Sequence, residues 1–335
     1  MSRRIGDQMG GNLGVKETKE VTVAVLDDYQ DAAREFGPWS ELGAAAQVTV
    51  FTDHVADAGA LTGRLAPFDV IVAMRERTRF PRAVLDRLPR LRLLVSTGMS
   101  TGHIDLAAAR ELGITVCGTG GRGQPPAELT WALILGLTRR AAEEDAGIRT
   151  GSWGLTVGTD LAGATLGVIG LGNLGHQVAR VGLAFGMRVI AWSQNLDPAV
   201  AVAAGVEPVT KETLLREADV ITIHLKLSER TTGLIGAADL ALLKPAALLI
   251  NTSRGPIVDE AALVSALRSG SIGGAGLDVF DHEPLPPDHP LRTTPRTLLT
   301  PHIGYVSASA YRVFYGEAVQ DIRAFLEGRP VRQLG

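Results

Sequence analysis

Thr165-Leu166-Gly167-Val168-Ile169-Gly170-Leu171-Gly172-Asn173-Leu174-Gly175 decides the fold. Thr165–Ile169 is an apolar run of strand length. Gly170, Gly172 and Gly175 follow at G-x-G-x-x-G spacing, and Gln177 to Phe185 has helical character. Strand, glycine turn and helix in that order build a dinucleotide site. The first glycine permits the tight turn, the second lets backbone approach a pyrophosphate, and the third lets helix and strand pack closely. The helix N-terminus then offers free N–H groups to phosphate. The alternative is a glycine-rich turn with no ligand, which the strand and helix on either side disfavour.

Working outward, β-branched runs alternate with Ala/Leu/Arg-rich stretches. Before the glycine turn, Val21–Leu26, Val48–Phe51, Val70–Ala73, Leu93–Val95 and Ile114–Val116 read as strands. Asp31–Glu35, Pro81–Leu88 and Leu106–Leu112 read as helices between them. After the breaker-rich Gly118–Pro126, Glu128 to Ile148 reads as one long helix. Six strands follow: Thr165–Ile169, Arg188–Trp192, Val220–His224, Ala247–Ile250, Ile272–Leu277 and Leu298–Leu299. A last helix spans Ser307 to Glu327. Fully apolar strands with helical crossovers predict parallel sheets covered on both faces, in an α/β architecture of two doubly wound domains.

The bulk numbers agree. At 335 residues the chain can bury two cores. A formal net charge of -3 argues against nucleic acid or an anionic membrane as partner. Apolar runs such as Leu161–Ile169 are too short to span a bilayer. Residues 1–19 are polar and Gly-rich, lack a secretory core, and read as a flexible leader. Cys117 is the sole cysteine, so no intrachain disulfide or thiolate metal cluster is expected, which fits a reducing cytoplasm. No histidine spacing suggests a metal site.

Four short motifs come after the glycine turn: N-T-S-R-G (Asn251–Gly255), G-L-D-V-F (Gly276–Phe280), H-E-P (His282–Pro284) and T-P-H-I-G (Thr300–Gly304). A 2-oxo acid accepting a hydride needs its carboxylate held, its carbonyl polarised and a proton supplied. Arg254 can do the first two, since guanidinium is permanently charged and forks onto paired oxygens. His302 is the natural proton donor near neutral pH. Glu283 can orient the imidazole and favour its charged form. Asp278 can accept from a nicotinamide carboxamide. Each has a plainer reading: a surface arginine, a packed histidine, a loop charge, a cap. Among the other histidines, His224 reads as structural, and His282 and His289 as exposed loop residues.

The end of the second strand chooses between nicotinamide cofactors, because an acid there binds ribose hydroxyls and repels a 2′-phosphate. Here it reads Ala191-Trp192-Ser193-Gln194-Asn195, with Ser193 where the acid is expected. No arginine adjoins it. Asp197 reads as a helix cap before Pro198, and Lys226 stands where it could reach a phosphate. The cofactor is read as NAD or NADP, tilting toward NADP.

From about Val21 to Pro330 these motifs resemble the D-isomer-specific 2-hydroxyacid dehydrogenase family. The likeness extends to Trp153, Phe185-Gly186-Met187, His224 to Thr232 and Leu249–Glu260. It implies catalytic roles for Arg254, Glu283 and His302. It implies a discontinuous flavodoxin-like substrate domain (20–119 with 305–335), a Rossmann-type cofactor domain (120–304) and a reaction cleft between them. It places cofactor contacts at Gly170, Gly172, Asn173, Leu174, Gly175, Ser193, Leu225, Lys226, Thr231, Thr252, Ser253, Arg254, Asp278, His302 and Gly304. Substrate contacts fall at Arg75, Met99, Ser100, Thr101, Arg254 and His302, the loop Ser96–Asp105 offering backbone N–H groups to a carboxylate. The helix before the glycine turn, apolar around Leu129–Leu137, is expected to make a homodimer.

This chain departs from the family's pattern at Ser100, Thr101 and Gly102, at Gln124-Pro125-Pro126, at Ser193, at Lys226 and at Tyr305, which is bulkier than the usual residue. The expected activity is hydride transfer between a nicotinamide and a small D-2-hydroxy or 2-oxo acid such as glyoxylate or hydroxypyruvate. A phosphorylated hydroxy acid or a small inorganic anion would call for further basic groups, for which Arg75 and Arg122 are candidates. The alternative of another class is a dinucleotide-sensing binding protein on the same fold. That protein could dispense with the acid–base group retained here.

Overall fold

The fold comes from a computed structural model, which describes residues 20–335. Residues 1–19, read above as a leader, lie outside the described residues. The chain forms two compact units. One takes in the described part of Met1–Gly121 together with Tyr311–Gly335, and the other is Arg122–Ala310.

The first unit is a sheet of β1 (Val21–Val25), β2 (Ala46–Val50), β3 (Val70–Ala73), β4 (Leu93–Ser96) and β5 (Thr115–Gly118). All pairings are parallel in the order β2-β1-β3-β4-β5, the flavodoxin-like order. Every residue of β3 and β4 is buried, as strands covered on both faces require. Leu65, Phe80, Leu85, Leu94 and Ala108 form part of the core on one side. The C-terminal helix Ala308–Leu326 adds buried Phe314, Tyr315 and Ile322, and the Tyr315 hydroxyl donates to Asp28 Oδ1 at 3.1 Å.

The second unit has seven strands: β6 (Thr165–Ile169), β7 (Arg188–Trp192), β8 (Glu207–Pro208), β9 (Val220–Ile223), β10 (Leu248–Asn251), β11 (Gly274–Leu277) and β12 (Thr297–Leu299). All are parallel, in the order β12-β11-β10-β9-β6-β7-β8. The order reverses between β6 and β9, the switch point where doubly wound sheets bind ligands at their carboxyl ends. Six strands were expected. The seventh, β8, pairs only Glu207 and Pro208 with β7, too short a run to show in the sequence.

The expected helix Glu128–Ile148 is two helices, Pro125–Thr138 and Ala141–Arg149. The break has a cause in a neighbouring segment. The Thr138 carbonyl accepts from Thr159 N–H at 2.8 Å, so it is no longer available to extend the helix. Arg140 then takes a left-handed conformation at φ 50°. Nor is the first helix a free apolar face. Ala127, Thr130, Trp131, Leu133, Ile134 and Thr138 are buried, and a Cβ on Gly136 would meet Leu298 at 2.6 Å. Leu135 is exposed on this helix, and further exposed apolar side chains follow it at Ile148, Trp153, Leu155 and Val157.

Candidate active site

The glycine turn meets the two steric demands its spacing predicts at Gly170 and Gly175. Gly170 has φ 97°, and a Cβ there would lie 2.8 Å from the His224 carbonyl. A Cβ on Gly175 would lie 2.1 Å from the Gly170 carbonyl oxygen, so the helix Asn173–Ala184 comes this close to the turn only with glycine. Gly172, by contrast, faces open space. The helix start has no side-chain cap, leaving the N–H groups around Asn173 and Leu174 for an anion.

A cavity at this turn adjoins a second one beyond it. One, of about 380 Å³, is lined by Gly170, Gly172, Ser193, Asp197, Leu225 and Lys226 among others. The other, of about 220 Å³, is walled by Trp192, Gln194, Leu225, Ser228, Arg230 and Thr231 among others. Asp197 is the cap it was read to be, accepting from Ala199 N–H at 2.9 Å. Thr231, Thr252 and Ser253 hold their hydroxyls within the protein. Thr231 donates to the Lys226 carbonyl at 2.8 Å and accepts from Ser228 N–H. Thr252 meets the Thr130 hydroxyl at 2.8 Å, and Ser253 donates to the Leu225 carbonyl. These groups set the shape of the loops after β9 and β10.

Arg254 follows β10 on a loop pinned by Asn251, which donates to the Arg254 carbonyl at 2.9 Å and accepts from Ser253 N–H at 3.0 Å. Gly255 lets that loop touch the next one, since a Cβ there would sit 2.1 Å from the Phe280 carbonyl carbon. On this second loop Glu283 Oε1 accepts from Phe280 N–H at 2.9 Å. Its Oε2 meets His302 Nδ1 at 2.6 Å. With Nδ1 so engaged, Nε2 is the nitrogen left to exchange a proton.

His302 has φ 51°, a conformation that costs a non-glycine residue free energy. Asp278, fully buried, holds the turn that imposes it. Oδ1 accepts from the Thr300 hydroxyl at 2.6 Å and Ile303 N–H at 2.8 Å, and Oδ2 from Gly304 N–H at 2.8 Å. Burial pushes the Asp278 carboxyl above the ordinary carboxylate range, against the opposing pull of these donors and of the His302 charge. Tyr305 is buried and packs its ring edge-on to the imidazole, with centroids 5.5 Å apart.

The other histidines separate from His302. Burial of its ring drops the His224 pKa to about 3 and both ring nitrogens lack a partner, so it stays neutral. His282 is exposed as expected. His289 is not. Its Nε2 meets Glu260 at 2.9 Å and its Nδ1 accepts from Leu291 N–H, because it caps the short 3-10 turn Pro290–Thr293.

In the N-terminal unit, Met99 and Ser100 are exposed and Thr101 half-buried on the loop after β4. The Gly98 N–H is taken by Thr119 Oγ1 at 2.8 Å, whereas those of Met99 and Ser100 have no acceptor among the described residues. Arg75, left-handed at φ 52°, lays its guanidinium beside this loop. A Cβ on Gly98 would meet Arg75 Nη1 at 2.7 Å.

Residues 131–304 match the family described as D-isomer specific 2-hydroxyacid dehydrogenase, NAD binding domain. The glyoxylate reductase of Aeropyrum pernix is 40% identical over 256 residues, covering 73% of this chain and 76% of the relative. The chain belongs to the D-isomer specific 2-hydroxyacid dehydrogenase family. It is an oxidoreductase with a nicotinamide dinucleotide cofactor. The crystal structure of a phosphoglycerate oxidoreductase from Vibrio cholerae O395 superposes with a TM-score of 0.88 at 35% identity, over 92% of this chain and 99% of that one. The D-3-phosphoglycerate dehydrogenase of Methanocaldococcus jannaschii is 36% identical over 80% of this chain but only 52% of its own length. Among the described residues no helix is long and apolar enough to cross a membrane, and no group of three or more side chains could hold a metal.

Reading along the chain missed one residue that lines the same cavity as Ser193. No arginine adjoins Ser193 in sequence, yet Arg230 reaches Gln194, donating from Nη2 to Oε1. Since β7 and β9 flank β6, the loops that follow them meet over the same cavity. A separation of 36 positions along the chain hides that proximity from any local pattern.

Proposed function

We propose that this dehydrogenase reduces a small 2-oxo acid, with glyoxylate and hydroxypyruvate as first candidates, to the D-2-hydroxy acid. The observation that carries the reading is the 2.6 Å contact between His302 Nδ1 and Glu283 Oε2. It fixes which imidazole nitrogen faces the chemistry and gives a protonated ring a counter-charge. When bound, the nicotinamide supplies the hydride in reduction and takes it in oxidation. Arg254 grips the carboxylate and polarises the carbonyl through its planar fork. As the carbonyl oxygen gains charge, His302 delivers a proton to it from Nε2, and Glu283 holds the imidazolium in place. Asp278 keeps the histidine turn in shape and accepts from the carboxamide.

The cofactor contacts proposed are the backbone at Gly170, Gly172, Asn173, Leu174, Gly175 and Gly304, and the loops at Ser193, Leu225, Lys226, Thr231, Thr252 and Ser253. NADP is favoured over NAD by the absence of an acid at Ser193. Within the N-terminal unit, Arg75, Met99, Ser100 and Thr101 are proposed substrate contacts. Two unpaired amides beside a guanidinium suit a carboxylate, which supports this. The sole cysteine is buried with its thiol pushed to about 12, so it takes no part in the chemistry. It suits a reducing, cytoplasmic setting.

A homodimer is proposed as well, now resting on exposed Ile148, Trp153, Leu155 and Val157 rather than on the helix around Leu133. A monomer mass at micromolar concentration would refute it. The decisive assay follows nicotinamide absorbance with NADH and NADPH in parallel against short 2-oxo acids, and with NAD+ and NADP+ against D-3-phosphoglycerate. Turnover with glyoxylate or hydroxypyruvate supports the reading. Turnover with the phosphorylated hydroxy acid alone would move the substrate class. Binding of a dinucleotide without turnover on any acid would favour a sensor on the same fold.

A further inference from the structure

We infer that Arg230 is the residue by which this enzyme selects a 2′-phosphorylated dinucleotide, its guanidinium leaving Gln194 to pair with the 2′-phosphate. The inference rests on the reading of the glycine turn as a nicotinamide dinucleotide site.

Three observations meet at one place. Ser193 directly follows β7, where the adenosine ribose is read, and it lines both cavities. Gln194, the next residue, accepts from Arg230 Nη2, so the guanidinium is held within one residue of the ribose position. Lys226 lines the adjoining cavity and supplies a second cation. Asp197 is the one carboxylate among the described residues lining either cavity, and its Oδ1 is engaged by the helix it caps. The edge of the cavity pair therefore carries two cations beside Ser193, in a chain whose net charge is negative.

The exchange of partners is favourable on chemical grounds. Gln194 offers Arg230 a neutral amide oxygen, and a bond to an ionised oxygen is about twice as strong as one between neutral groups. A phosphate also presents paired oxygens that match the guanidinium fork, which an ammonium cannot match. In the absence of phosphate, Gln194 keeps the fork extended over the cavity, so little side-chain freedom is lost when a phosphate arrives. A dinucleotide without the 2′-phosphate has nothing to draw Arg230 away, and its affinity does not depend on this side chain.

The test is direct binding, followed by nicotinamide fluorescence, of NADPH and NADH to the wild type, Arg230→Ala, Arg230→Lys and Lys226→Ala. Arg230→Ala is expected to weaken NADPH by about tenfold to a hundredfold, the range for losing a charge-assisted fork, and NADH by less than about threefold. Arg230→Lys keeps the charge without the fork and falls between. Equal weakening of both dinucleotides would show Arg230 acting as a cover over the purine and would overturn the inference. An effect confined to Lys226→Ala would overturn it too. Should Arg230→Ala unfold, Arg230→Lys carries the comparison. Binding of 2′,5′-ADP against 5′-AMP to the wild type adds a second check. The 2′-phosphate should raise affinity, and salt should erode that gain. Equal affinities overturn the inference. Failure of the wild type to bind either dinucleotide would instead strike the reading of the glycine turn itself.

Discussion

The turn that carries His302 and the pocket edge that carries Arg230 are built in opposite ways. Asp278 is wholly buried and takes three internal hydrogen bonds to fix five residues, and Glu283 then fixes the imidazole. Around Gln194, Lys226 and Arg230 the side chains are exposed, and a single side-chain bond joins the two loops there. The difference fits what each region is proposed to do. A proton donor has to sit within a few tenths of an ångström of its target, so its position is determined from several sides. A group that grips a peripheral phosphate can be long and solvated, and still contribute through charge. Substitutions in the first region should therefore act on turnover and folding together. Those in the second should act on cofactor choice alone.

The largest effect belongs to His302→Ala. Losing a positioned acid–base group lowers turnover by about 10²- to 10⁴-fold. Dinucleotide affinity should barely change, because the glycine turn and its helix do not depend on the imidazole. Turnover that survives intact would remove His302 from the mechanism and with it the contrast between the regions. Glu283→Gln comes next. The amide can still accept from Phe280 N–H but brings no charge to Nδ1, so turnover should fall by roughly ten- to a hundredfold with KM for the cofactor unchanged. An equal rise in the cofactor KM would mean that the Gly255–Phe280 contact, rather than the imidazole, had been disturbed.

Asp278→Asn sharpens the comparison through stability. One end of the amide can still accept from Thr300 and Ile303, but the other turns an NH2 toward the Gly304 N–H. That leaves a buried donor unsatisfied, at about 1–3 kcal/mol. The pH dependence has a definite sign. Burial raises the folded-state pKa above the ordinary 3.8, so the native state holds this proton more tightly than the unfolded chain does. The resulting stabilisation is fully present below the unfolded value and is lost as pH rises through the folded one. Unfolding midpoints measured from acid upward should show this loss in the wild type and not in Asp278→Asn. Parallel curves would show that the carboxyl titrates alike in both states.

The same contrast explains what was legible in the sequence. The glycine turn was readable because each glycine answers a local steric demand, such as the 2.1 Å approach of Gly175 to Gly170. His302 and Glu283 were readable because they sit in short motifs whose neighbours hold them. What stayed hidden depends on distant partners. The helix break at Arg140 depends on Thr159 taking a carbonyl, and the buried face of Pro125–Thr138 depends on the sheet it covers. The apolar run Leu129–Leu137 reads alike as core or as interface, because burial inside a unit and burial between copies leave the same composition. Arg230 meets Gln194 only through the reversal of strand order at β6, which no local pattern encodes.

The smallest expected effect is also the cleanest test of the loosely built region. Ser193→Asp restores at the end of β7 the acid that reads ribose hydroxyls and repels a 2′-phosphate. The position is half-buried beside an open cavity, so the change should fold without penalty and alter turnover with a saturating cofactor little. NADPH should weaken by about tenfold, since a like charge within a few ångströms in a partly solvated site costs on the order of 1 kcal/mol or more. NADH should hold or gain slightly. A variant that weakened both dinucleotides alike would mean that Ser193 shapes the cavity wall, and that cofactor choice rests elsewhere. If instead it weakened NADPH while Arg230 remained free to grip the phosphate, the two residues would be acting independently. In the double variant Ser193→Asp with Arg230→Ala their effects would then add.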